Sequence, residues 1–117
     1  MEKNFRIPAA EIKTVVWNFR YCFATDRITV DGMKVGYMYR ESPQDRNDSG
    51  WNFLAGDESD EYLDNPDNLA IYEVNTIANY DPAIVEVLET RSPCAFERDG
   101  STGKFVSVPP PDPKILK

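Results

Sequence analysis

From Val35 to Arg40 the chain alternates. Val35, Tyr37 and Tyr39 fall on one side of an extended backbone and Gly36, Met38 and Arg40 on the other, the period of two that a strand requires. Upstream, Thr14-Val15-Val16-Trp17 opens a β-rich run that predicts a strand through about Ala24. Pro8-Ala9-Ala10-Glu11 has the make-up of a helix start, so the stretch before it reads as a short helix or coil leading into that strand. Ile28-Thr29-Val30 and Met33-Lys34-Val35 flank Asp31-Gly32, and a two-residue Asp-Gly between β-type runs predicts a tight hairpin. The polar run from Glu41 to Gly50 reads as an exposed loop. Trp51-Asn52-Phe53-Leu54 and then Leu69 to Val74 are further strand candidates.

The period changes after Val74. Asn75 is a candidate cap for a helical turn through Asn79, and Asp81-Pro82 supplies an N-cap and first helical residue for a second helix. Ile84, Val87 and Leu88 lie at i, i+3 and i+4, one apolar stripe, before Ser92-Pro93 ends it. Cys94 to Arg98 and Lys104 to Val108 predict a second hairpin around Asp99-Gly100-Ser101-Thr102-Gly103. Pro109-Pro110-Pro111 cannot donate to a ladder and favours an extended, exposed tail. The pattern predicts an α+β fold: mainly an antiparallel sheet with one or two short helices packed on it. Its organisation is a lead-in over 1–13, a single domain over 14–108 and a proline-rich tail over 109–117.

Composition narrows this picture. With 117 residues, 41% of them hydrophobic, the chain suits one folded domain. A formal net charge of -7 repels phosphate backbones and anionic lipid, which argues against nucleic acid and membrane as partners and admits a basic protein or a cation. No leader-like or membrane-spanning apolar run is present, which reads as a cytoplasmic chain. Cys22 and Cys94 each sit in an apolar stretch and are expected to be reduced and buried.

Histidine is absent, and with it Ser-His-Asp and Cys-His nucleophilic sites and every zinc site that needs imidazole. The two cysteines have no CxxC spacing, and the six glycines match no phosphate-binding loop. The chain reads as no enzyme, with no cofactor. What stands out is acidic: Asp57-Glu58-Ser59-Asp60-Glu61, followed by Tyr62, Asp64 and Asp67. Such a run is a solvated loop, a carboxylate pair, a hard-cation site or a docking surface for a basic protein. It lacks the alternating ligands and central glycine of an EF-hand. Trp51, Phe53 and Tyr62 flank it, and aromatic anchors among steering charges are the make-up of a protein interface, although Trp51 and Phe53 suit a core better.

These residues also carry a likeness. Asp26-Arg27-Ile28, Val35-Gly36-Tyr37-Met38-Tyr39-Arg40-Glu41 and Asp48-Ser49-Gly50-Trp51 are similar to successive blocks of immunity protein family 33, formerly a domain of unknown function, number 2185. The order continues through Phe53, Gly56-Asp57-Glu58, Asp60-Glu61-Tyr62, Asn65-Pro66-Asp67-Asn68, Asn75-Thr76-Ile77, Asn79-Tyr80-Asp81-Pro82 and Ala95-Phe96-Glu97-Arg98. It covers about residues 22 to 106; Asn52-Phe53-Leu54 departs from it, and the segment before Tyr21 lies outside. The resemblance implies a non-enzymatic bacterial antidote that binds a cognate toxin. Joined to the charge, it nominates Asp57, Glu58, Asp60, Glu61 and Tyr62 as partner contacts, with Asp48 and Trp51 beside them. The other reading is a regulatory or housekeeping module of unknown ligand, a cation or small molecule among the candidates.

Overall fold

The computed structural model describes residues 3–111. Six strands form one sheet: β1 (Tyr21–Thr25), β2 (Tyr37–Arg40), β3 (Asp48–Leu54), β4 (Leu69–Glu73), β5 (Cys94–Arg98) and β6 (Phe105–Val108), in the order β4-β1-β3-β2-β5-β6. β1 and β3 run parallel; every other neighbouring pair is antiparallel. Three short helices, α1 (Asp26–Thr29), α2 (Asp60–Asp64) and α3 (Val74–Tyr80), and 3₁₀ turns at Ala9–Glu11, Pro66–Asn68 and Pro82–Val87 complete an α+β domain. Among the described residues no helix is long and apolar enough to cross a membrane.

The register divides the side chains cleanly. On one face the row Ala70, Ala24, Phe53, Met38, Phe96 and Ser107 crosses all six strands, with Cys22 and Trp51 in neighbouring rows. This face meets Ile28 of α1, Val74, Ile77, Ala78 and Tyr80 of α3, and Ile84 and Leu88, all in one buried cluster. Trp51 stacks 6.0 Å from Phe53, and its indole N–H donates to the Leu88 carbonyl at 3.1 Å, which satisfies the ring's polar atom inside the core. Both cysteines are free and buried, and burial pushes the Cys22 thiol above its ordinary range.

One carboxylate ties the two layers together. Asp81, buried at the end of α3, accepts from the Val35 N–H at 3.0 Å and the Ala83 N–H at 3.1 Å and forms an ion pair with Arg98 of β5. It is the expected N-cap, although the element it caps is a 3₁₀ turn. Arg98 also donates to the Val35 carbonyl at 2.9 Å, so helix layer, loop and sheet meet at one charge pair.

Four local expectations are corrected. The Asp31-Gly32 hairpin does not form: Asp26–Thr29 is helical, and Gly32, at φ +78°, sends its N–H to the Ile28 carbonyl at 3.1 Å. A helix end and a tight hairpin both need a residue with positive φ, so the same Asp-Gly signal served the helix. Val35 belongs to the core rather than to the tyrosine face, because β2 begins only at Tyr37. The strand expected from Thr14 is confined to Tyr21–Thr25, and Asn18 and Arg20 before it have φ near +70°. Asn75 does not cap α3, whose N-cap is Glu73; its amide binds the Lys13 carbonyl and the Val15 and Val16 N–H groups, and with Asn79 it straps the N-terminal segment down. Pro109 and Pro110 are exposed, Pro111 is half-buried rather than exposed, and 112–117 lie outside the described residues.

Two outcomes follow from this packing. Asp81→Ala strands Arg98 and the Val35 N–H and should cost about 3 kcal/mol, read as a shift in urea midpoint, whereas Asp81→Asn, which keeps an acceptor, should cost less. A Cβ on Gly36 would sit 2.0 Å from the Ala55 carbonyl oxygen; Gly36→Ala should therefore destabilise the fold by roughly 1–3 kcal/mol, lowering its melting temperature.

Candidate functional site

The acidic run is not a loop throughout. Ser59 accepts the Tyr62 N–H on its hydroxyl at 3.1 Å and starts α2, which places Asp60 and Glu61 in the first turn where the helix dipole favours carboxylates. Both are exposed. Tyr62 is half-buried; burial, then the charges of Asp26, Asp31 and Glu58, raise its hydroxyl above the usual tyrosine range.

The other nominated residues turn inward or are engaged by the protein itself. Glu58 is a clasp: its carboxylate accepts from Thr25 Oγ1 at 2.6 Å and from the Ala55 and Gly56 N–H groups, each at 2.8 Å. This pins the start of the acidic run to the end of β1. Asp57 takes both arms of the Arg27 guanidinium, at 2.5 and 3.2 Å, and this hydrogen bonding lowers its carboxyl below the ordinary aspartate value. Asp48 accepts from the Gln44 and Gly50 N–H groups at 3.0 and 2.9 Å, closing the loop before β3. Trp51 is wholly buried and cannot touch a partner, which corrects its nomination as a contact. Among the described residues no group of three His, Cys, Asp or Glu side chains is placed to hold a metal ion.

Beside α2 lies a surface the residue-by-residue reading did not single out. The face of the sheet opposite the helices carries the row Ile71, Phe23, Asn52, Tyr39, Ala95 and Val108 across all six strands, flanked by the Leu54, Tyr37, Glu97 and Val106 row. Ile71 is 62% exposed, Val106 47%, Tyr21 46% and Phe23 39%, far more than a covered face allows. Leu63 of α2, Leu69, Phe23, Tyr37, Tyr39 and Pro111 enclose a groove of about 430 Å³ on it.

Charge sorts by face as well. The strand arginines both reach into the covered side, Arg40 over the Trp51 ring and Arg98 over Phe105. Glu73 and Glu97 stand in register with Tyr21 and Tyr37 on the open side, and Glu41 accepts the Asn52 amide at 3.1 Å there. Burial and the neighbouring Glu41 push the Tyr39 hydroxyl up to about 12. The signal in the sequence was the alternation of bulky Tyr21 and Phe23 with small Cys22 and Ala24: an apolar strand with its large residues on the side that does not need them.

The sequence profile of the Immunity protein Imm33 domain matches residues 22–109, from β1 past β6. No curated protein and no solved structure gives a significant match to the chain. With the profile spanning the whole sheet, the chain belongs to the immunity protein Imm33 domain family.

Proposed function

We propose that this protein is an antidote that binds a cognate toxin and neutralises it by occupation, without chemistry of its own. The observation that carries the reading is the family match over the entire sheet. The surface supports it: α2 presents Asp60 and Glu61 to solvent, with Asp64 one turn on, and a chain of net charge -7 attracts a basic toxin from a distance. Within the acidic run, Asp60, Glu61 and Tyr62 are the contacts, and Asp57 and Asp48 support the surface through Arg27 and the loop before β3.

An inactivated form of the toxin encoded beside the gene should form a complex with the purified protein whose association rate falls about 10-fold or more as salt rises from low to high. Absence of a complex at micromolar concentration sinks the reading.

Replacing Asp60 and Glu61 together by Lys should slow association about 10-fold while costing no more than about 1 kcal/mol, since surface charges at a helix start contribute little. Glu58→Ala should do the reverse in a thermal melt: loss of three hydrogen bonds frees the Ala55–Ser59 segment and costs about 1–3 kcal/mol, so Glu58 is a stability residue rather than a contact.

A further inference from the structure

We propose that the open face of the sheet is the toxin's docking surface, and that its groove takes a lysine or arginine projecting from the toxin. The inference rests on the antidote reading and deepens it.

The exposed apolar residues of this face lie outside the core cluster, although Ala95 in the same row is buried. The core is closed on the other side by α1, α3 and the Pro82–Val87 turn. Leaving Ile71, Tyr21 and Phe23 exposed on the adjacent strands β4 and β1, and Val106 on the far edge strand β6, costs solubility unless something covers them. Tyrosine and phenylalanine at such positions offer large, stiff contact area, the make-up of interface anchors.

Charge chooses the occupant. Glu73, Glu97 and Glu41 border the face, the α2 carboxylates adjoin it through Leu63, and Arg40 and Arg98 are turned to its back. A second copy of the chain would set these carboxylates against their own kind, so self-association is opposed where a basic partner is favoured. The groove fits the same chemistry. Phe23, Leu54, Leu63 and Leu69 provide an apolar wall for an aliphatic stem, and the Tyr37 and Tyr39 rings, 5.7 Å apart, offer π-faces to a cation. Among the described residues no carboxylate lines the groove itself; the counter-charge comes from its neighbours, Glu41, which accepts from the groove residue Asn52, and Glu97, in register with the groove residue Tyr37.

The test measures affinity and rates for the inactivated toxin encoded beside the gene, with each variant first checked for folding by circular dichroism. Ile71→Lys, at a 62% exposed edge position, and Phe23→Ala should each weaken binding about 30-fold, mainly through faster dissociation. Glu97→Lys should weaken it about 10-fold, mainly through slower association. Val85→Ala should leave it unchanged: Val85 is 40% exposed but lies on the Pro82–Val87 turn, in the layer on the opposite side of the sheet. Should Phe23→Ala fail to fold, Ile71→Lys decides. Wild-type affinity in folded Ile71→Lys and Glu97→Lys overturns the docking face and leaves the antidote reading standing, as does loss of binding in Val85→Ala alone. If the unaltered protein binds no toxin, the antidote reading falls and this inference falls with it.

Discussion

A six-stranded sheet has two faces, and the described residues carry helix enough for one. α1, α3 and the Pro82–Val87 turn cover the side that holds Trp51, Phe53 and Met38, and the short α2 only flanks the other. Much else in the molecule follows from that shortage. The helical layer must be held in register with a sheet it meets on a single side, and the buried Asp81 carboxylate does this by joining the end of α3, the Val35 backbone and Arg98 of β5. The N-terminal segment extends the layer, strapped to α3 by Asn75 and Asn79 and to Tyr80 through the Ile7 N–H at 3.0 Å.

The distribution of charge obeys the same constraint. Arginine is the cation best suited to an apolar side, because its flat guanidinium stacks on rings and its donors satisfy several carbonyls at once. Arg40 does so over Trp51, donating to the Ser49 and Thr90 carbonyls at 2.9 Å each. With Arg40 and Arg98 turned to the covered side, the strand carboxylates Glu73 and Glu97 stand on the open side, so the sheet itself is polarised.

Apolar runs and their periodicity made the α+β class and the strands around Trp51 and Leu69 legible in the sequence, and local turn and capping residues did the same for the C-terminal hairpin and the Asp81 cap. Where the reading failed, one local signal served two structures. Asp31-Gly32 supplies a positive φ, which a hairpin and a helix end demand alike, and only the burial of Ile28 and Thr29 beneath the helical layer decides between them. Asn75 looks like a cap in sequence, yet its partners lie about 60 positions away, at Val15, beyond the reach of any local pattern. The candidate site divides in the same way. Acidity located α2, but not which carboxylates are free: Glu58 and Asp57 are committed to Thr25 and Arg27 across the fold, and Trp51 to the core.

That commitment explains how so acidic a segment holds a shape. Consecutive like charges repel one another and favour an extended, solvated chain. Here the first two carboxylates are drawn off, one into a guanidinium and one onto two backbone N–H groups and a hydroxyl, and the next two sit where a helix dipole and the Ser59 cap favour them. The repulsion is thereby divided between structure and surface. Asp57 and Glu58 fix where α2 begins against β1, and Asp60 and Glu61 project their charge beside the open aromatic face. A rigid acidic rim next to an exposed apolar sheet loses less entropy on meeting a basic partner than a mobile loop of the same composition would, and that is the physical advantage of spending half of the acidic run on holding the other half in place.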